Sequence, residues 1–230
     1  MLVKHIFSLK AKKKNLNKMS TEQKDKTLFV TTIILVVIHL AGVIGILSSY
    51  CGLFLMLSPL NLLISTFLLF LNHKEFNRNF YIFCAISFLT GFFIEVVGVR
   101  TGMIFGDYTY DRTLGFQVFN VPVIIGVNWL MLIYSIGSIL SELNSSIVIK
   151  SVLGAMMLVT LDFFIEPVAV KYNFWDWYEG TVPMQNYIAW FFVSFALLLL
   201  FYKLNFNKEN RLAKALFIVQ LVFFTLLTVL

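Results

Sequence analysis

The chain has 230 residues, a mean hydropathy of +0.85, 59% hydrophobic and only 13% charged residues, and a net charge of +6. Charged residues make up about a quarter of an ordinary soluble domain, so this composition excludes a soluble enzyme. The excess of basic residues would suit a nucleic-acid binder, but their placement, described below, argues against one.

A spanning helix needs about 20 mainly apolar residues. Seven stretches meet this, at 27–49, 50–71, 79–99, 121–141, 145–169, 184–204 and 212–230. The expected fold class is therefore all-α, a polytopic integral membrane protein of about seven transmembrane helices. Residues 1–26 form a basic tail and residues 27–230 a single transmembrane domain. The start does not read as a cleaved signal peptide, since the basic stretch runs into a full-length apolar segment; Met1 and Met19 are both candidate starts. Eight of the eighteen Lys and Arg precede the first span. With that tail inside, fifteen fall on the inner side, leaving only Arg100, Arg112 and Lys171 outside. This is a positive-inside pattern, which predicts a cytoplasmic N-terminus and a location in the cell inner (plasma) membrane. Cys51 and Cys84 fall on opposite faces in that topology, so no disulfide is expected.

His39, alone in the first span, reads as a helix-interface residue. Pro59 should kink the second span, because it removes a backbone donor. The last span is featureless.

The third span ends FIEVVGVRTG. Here Gly91, Glu95, Gly98 and Gly102 stand at i, i+4, i+7 and i+11, on one helical face. Glycines in a stripe admit a second helix or a flat ligand at close range. An acid within a span, at about 2.5–3.5 kcal/mol on insertion scales, points to function. The outward loop that follows carries Asp107, Tyr108, Tyr110, Asp111 and Arg112. Pro122 suits the first turn of the fourth span, which holds Asn128 and Trp129. The fifth span ends with Asp162 and Glu166 at i and i+4. Its outward loop carries Trp175, Asp176 and Trp177. Asn186 and Trp190 then share a face of the sixth span. The two segments echo one another, each running helix acid, aromatic loop, proline, then Asn and Trp, and a parallel duplication is conceivable.

Glu95, Asp162 and Glu166 gather toward the outward half with Arg100 as the one nearby cation, so at least one carboxyl should be protonated or face a polar pocket. A neutral carboxylic acid ringed by aromatic faces suits proton donation and carbocation chemistry. The loop acids Asp107, Asp111 and Asp176 read equally as solvated, and the loop tryptophans equally as an interfacial belt. His5, His39 and His73 are scattered and no Cys/His cluster exists, so no metal is expected and no cofactor is implied.

FIEVVGVRTGMIFGDYTYDRTLG, VPVIIGVNWLMLIYS and LDFFIEPVAVKYNFWDW together with GTVPMQNYIAWF resemble the membrane carotenoid-biosynthesis family that includes carotenoid 1′,2′-hydratases and the bacterioruberin-pathway hydratases. The resemblance covers about 91–192; the terminal helices match it only in hydrophobicity. It implies addition of water to the terminal trisubstituted double bond of an acyclic carotenoid end, of lycopene or gamma-carotene type. On chemical grounds Asp162 or Glu166 is then the general acid, with Glu95 and Asn128 holding the water and accepting its proton. Trp129, Tyr108 and Trp175 would shield the cation. Gly91, Gly98, Asp107, Trp177, Asn186 and Trp190 complete the expected substrate site. The expected partners are a lipophilic carotenoid from the bilayer and membrane lipid, with no nucleic acid; association with other carotenoid enzymes stays open.

Three alternatives stand beside this. A small membrane-type lycopene cyclase would use the same acid and let an internal alkene capture the cation. A membrane prenyltransferase would use DYTYD and DFFIE, both D-x-x-x-[DE], to hold magnesium diphosphate. A proton-coupled transporter would use the intramembrane acids as a relay; a retinal receptor is disfavoured because Lys214 lies at the end of the last span.

Overall fold

The computed structural model describes the backbone of residues 2–230 and the side chains of residues 22–230. The side chains of the expected tail's lysines up to Lys18 and of the candidate start Met19, and the whole of Met1, lie outside what is described.

Eight helices carry the chain: α1 (Leu2–Ile46), α2 (Cys51–Met56), α3 (Ser58–Leu71), α4 (Arg78–Thr101), α5 (Ile124–Ser141), α6 (Ile147–Lys171), α7 (Met184–Lys203) and α8 (Leu212–Val229). Six of them, α1 and α4 to α8, are long and apolar enough to cross a membrane. This is a multi-pass helical membrane protein, in which every backbone polar group of a span finds its partner within the helix. No break separates residues 22–26 from the first span; they continue α1. Where a second span is expected, the chain forms the short α2 and the 14-residue α3, with Leu57 between them and Pro59 in the first turn of α3. Proline suits that position because its missing N–H is unpaired there anyway.

Local chemistry sets the ends of the central helices. The Asn77 side chain accepts from Phe80 N at 3.0 Å and caps α4, which stops at Gly102, whose φ of 65° is the left-handed conformation that glycine adopts freely. Ser146 caps α6 in the same way, accepting from Ile149 N. Pro122 is not in the first turn of the fourth span: it lies in the two-residue strand β3 (Val121–Pro122), paired with β2 (Gln117–Val118), and α5 starts two residues later.

Helix α5 is the hub. It packs against α3, α4, α6, α7 and α8, and residues 129 to 138 along it are all buried. The longest seams besides are α6 on α7 and α1 on α8. At one end of the bundle a small antiparallel sheet pairs β1 (Tyr108–Tyr110) with β4 (Trp175–Trp177). The opposite end carries most of the fixed charge. There Lys74 pairs with Glu209, Arg211 with Asp25 at 2.6 Å and Lys214 with Glu142 at 2.5 Å, all exposed. Such pairs contribute about 0–1 kcal/mol each.

That end also holds a buried polar knot. His73 Nε2 lies 2.7 Å from Glu75 O and its Nδ1 2.7 Å from Tyr134 Oη, while Asn210 Nδ2 donates to Leu69 O and Tyr134 Oη. A carbonyl only accepts, so Nε2 carries the hydrogen and the Tyr134 hydroxyl donates to Nδ1. Burial holds the His73 imidazole below its usual value. A base depressed in the fold binds its proton more readily unfolded, so its stabilisation is full above about pH 6.5 and declines as pH falls through that value. Thermal unfolding in detergent should therefore show a loss of stability between about pH 7 and about pH 5, and the loss should be smaller in His73→Phe.

Candidate active site

Tyr108 pairs with Trp177 and Tyr110 with Trp175 across the β1–β4 sheet, with Thr109 opposite Asp176. Side chains alternate across a strand. The four rings therefore share the face turned into the bundle, and Thr109 and Asp176 are exposed on the other. Y-x-Y and W-x-W are thus strand patterns within what the sequence presents as two loops.

Below the sheet lie Glu95 from α4 and Glu166 from α6. Tyr108 Oη donates to Glu95 Oε2 at 2.5 Å and Tyr110 Oη to the same oxygen at 2.9 Å; Trp129 Nε1 donates to Oε1 at 3.0 Å. Trp175 and Trp177 donate through Nε1 to Glu166 Oε2 at 3.0 and 2.9 Å. Asn186 Nδ2 bridges Glu166 Oε1 at 3.2 Å and Asp162 Oδ2 at 2.8 Å. Each glutamate thus accepts three neutral donors. Asp162 accepts from Asn186 alone, and its Oδ1 has no partner among the described residues. Burial, then the charge of Glu95, pushes the Tyr108 and Tyr110 phenols well above their usual value, so both stay O–H donors.

The layout repeats between the two halves. Helices α4 and α6 each carry a glutamate toward their last two turns. Each glutamate binds the two rings of the strand that follows its helix, and the next helix supplies a further N–H, from Trp129 in α5 or Asn186 in α7. Trp129 and Trp190 close the centre, stacked at 4.1 Å and 19°.

All three carboxyls are at most 4% exposed and line a cavity of about 40 Å³. A single water needs about 10–15 Å³ of such space, so it takes one or a few waters between polar walls. Among the described residues no Lys or Arg lines it; Arg100 is exposed, over the Phe119 ring at 4.7 Å. Ile125, Asn128 and Trp175 also line a second, larger cavity of about 290 Å³. That one is an apolar groove between α1, α3, α5 and α8, reaching Leu57 and Leu60 beside the α2–α3 break, where both leucines are largely exposed. Asn128 is half-buried between the two spaces, its amide without a partner among the described residues.

Of the expected site residues, Glu95, Tyr108, Asn128, Trp129, Asp162, Glu166, Trp175, Trp177, Asn186 and Trp190 all line the small cavity. Three others do not. Asp107 is exposed and borders neither space; its carbonyl accepts from Tyr178 N. Asp111 is exposed too, so the two D-x-x-x-[DE] motifs do not face one another. Gly91 and Gly98 touch other parts of the protein: a Cβ on Gly91 would lie 2.3 Å from Trp129 Cβ, and one on Gly98 would lie 2.7 Å from the Phe105 ring and 3.1 Å from Tyr108 Oη. They let donors reach Glu95. Gly91→Ala should push α5 from α4 and lower stability by about 1–3 kcal/mol, measured by thermal unfolding of the purified variant in detergent. The aromatic residues expected to shield a cation with their faces instead point N–H and O–H edges at the carboxyls. Tyr110, absent from the expected site, is part of it.

A family model described as "Carotenoid biosynthesis protein" matches residues 50–230. The chain belongs to the carotenoid biosynthesis protein family. The family match reaches well beyond 91–192, in keeping with a groove built partly from α3 and α8. A bisanhydrobacterioruberin hydratase of Haloarcula japonica is 32% identical in an alignment of 122 residues, covering 47% of this chain and 40% of that protein. The chain thus matches about two-fifths of its curated relative's length. No solved structure matches the chain. Membership connects this membrane protein with carotenoid biosynthesis, and the carboxyl cluster is the part of it equipped for acid chemistry.

Proposed function

We propose that the protein hydrates the terminal trisubstituted double bond of an acyclic carotenoid end, giving a tertiary alcohol. The observation that carries this reading is the junction at Ile125, Asn128 and Trp175 between a carboxyl-walled, water-sized pocket and an apolar groove. The end of the polyene enters from the bilayer beside the α2–α3 break, and most of its length stays in lipid. The carotenoid and surrounding lipid are the partners, in the cell membrane, with the Lys- and Arg-rich end on the cytoplasmic side.

Asp162 is the general acid. Hydrogen bonds from three donors favour the ionised form of a carboxyl, and Glu95 and Glu166 each have three, whereas Asp162 has one donor and a free oxygen. Its proton goes to the less substituted alkene carbon, the π electrons form the new C–H bond, and the positive charge falls on the tertiary carbon. Glu95 and Glu166, with no cation among the pocket residues to neutralise them, stabilise that charge at short range. Water held by Asn128 forms the C–O bond and loses its extra proton to Glu95. Glu95 and Asp162 line the same small space, and water entering it carries that proton from Glu95 back to Asp162. The sum is alkene plus water to alcohol.

The space left beside the carboxyls has room for one or a few waters and not for a folded-back chain end, which favours hydration over cyclisation. Expression in a lycopene-producing host, followed by mass spectrometry of the pigments, tests this. The expected product is heavier than its precursor by one water. A product of unchanged mass would mean cyclisation, and an unaltered pigment profile would overturn the proposal.

A further inference from the structure

Helix α3 carries polar side chains in a run made otherwise for lipid. Thr66 satisfies its hydroxyl within the helix, on Leu62 O at 2.8 Å. Ser58 and Asn61 do not. They stand three residues apart, hence on one face, and line the apolar groove together with Asn128 of α5. Ser65 Oγ donates to Asn61 Oδ1 at 3.1 Å, which leaves the NH₂ as the free end of that amide. The Asn61 NH₂, the Ser58 hydroxyl and the Asn128 amide have no hydrogen-bond partner among the described residues, and all three residues are half-buried. A buried donor left unpaired is destabilising by about 1–3 kcal/mol. Water is a partner that a groove of about 290 Å³ has room for.

The three residues also fall in line. Pro59, next to Ser58, lies under the outer loop: a Cβ on Gly115 would be 3.6 Å from Pro59 Cγ, and Asp111, Arg112, Gly115 and Phe116 around it are exposed. Toward the other end of α3 the Phe70 ring meets that of Tyr134 in α5 at 5.5 Å, so the two helices run the same way. Asn61 is nine residues from Phe70 and Asn128 six from Tyr134, which at about 1.5 Å per residue sets Asn61 about 4–5 Å nearer the loop. Ser58, Asn61 and Asn128 are thus successive steps from the outer loop to the acid pocket, which Asn128 also lines. His39 and Gln220 line the groove from α1 and α8, off this line; His39 Nδ1 lies 2.8 Å from Leu35 O, and Gln220 Oε1 is sealed from the groove. We infer that Ser58 and Asn61 pass water from the outer loop to Asn128 while the polyene fills the rest of the groove. Asn61 is then a positioning residue for the water that captures the cation. This rests on the hydration reading.

The test follows the fate of the cation. In D₂O the acid delivers deuterium to the less substituted alkene carbon. A cation captured by water becomes the alcohol. One that is not captured returns a proton from that same carbon to a carboxylate, and the alkene reforms with deuterium in place of hydrogen. The purified full chain in lipid nanodiscs is incubated with lycopene in D₂O, and mass spectrometry compares alcohol formed with deuterium in the recovered lycopene. Asn61→Leu is close in size and removes the amide. It is expected to raise the ratio of exchange to hydration about tenfold, the effect of roughly one hydrogen bond to the water. Ser58→Ala should move the ratio the same way by less, and Asn61→Ser, which keeps a hydroxyl, should stay nearer the wild type than Asn61→Leu. A wild-type ratio in Asn61→Leu, including the case where exchange and hydration fall together, would overturn the inference and leave the hydration proposal standing. If Asn61→Leu does not accumulate, an unchanged ratio in Ser58→Ala has the same force. A wild type that forms no alcohol would overturn both.

Discussion

Asp162→Asn should lower the rate of hydration by about a hundredfold to ten-thousandfold, the usual span for removal of a general acid, while the protein accumulates and unfolds as the wild type does. The substitution is nearly isosteric. The Asn carbonyl oxygen can accept from Asn186 Nδ2 as Asp162 Oδ2 does at 2.8 Å, and its NH₂ takes the place of Oδ1, which accepts no hydrogen bond from a described residue. What disappears is the transferable proton. The measurement is hydroxylated carotenoid formed per unit of membrane protein, alongside a melting curve of the purified variant. Product formation within about threefold of wild type would remove Asp162 from the role of acid. An active Asp162→Asn beside an inactive Glu95→Gln would place the acid in the other half of the cluster.

The second large effect is on stability and separates the two glutamates. Glu166 accepts only from N–H groups, those of Trp175, Trp177 and Asn186. The two indoles cannot reverse direction, and Asn186 could do so only by turning its amide and giving up its bond to Asp162. A Gln in its place turns one acceptor oxygen into a donor facing donors, which should be destabilising by about 1–3 kcal/mol and lower the melting temperature by several degrees. Glu95 accepts from one N–H, that of Trp129, and from two hydroxyls, those of Tyr108 and Tyr110. A hydroxyl rotates and can accept. Glu95→Gln should therefore shift the melting temperature by less than half as much. Equal shifts, or the reverse order, would mean that the hydrogen-bond directions inferred for the pocket are wrong.

Much of this site could be read along the chain. Glu95, Asp162 and Glu166 stand out because an acid in a span is expensive and local hydropathy exposes it. Asn128, Trp129, Asn186 and Trp190 stand out for the same reason in milder form. Tyr110 escaped because an aromatic in a loop has an ordinary explanation at the membrane interface. The signal that would have found it is alternation: Tyr108 and Tyr110, like Trp175 and Trp177, sit two apart with a polar residue between, which is the period of a strand. Asp107 was overvalued because a charge near a cluster of charges looks like part of it. Gly91 and Gly98 were placed on the right face and given the wrong neighbour, as glycine spacing says that something comes close without saying what.

Helix positions, the acid-bearing faces and the concentration of basic residues at one end follow from the sequence by itself, since each is a matter of local hydropathy and a 3.6-residue period. Which donor meets which carboxyl does not. Trp129 reaches Glu95 across 34 residues and Asn186 reaches Asp162 across 24, and the four loop rings turn inward only because β1 pairs with β4 in one register. The groove likewise exists only once α1, α3 and α8 stand around α5. Hydrogen bonding and cavity shape depend on distances between segments far apart in the chain, and only the packed bundle fixes those distances.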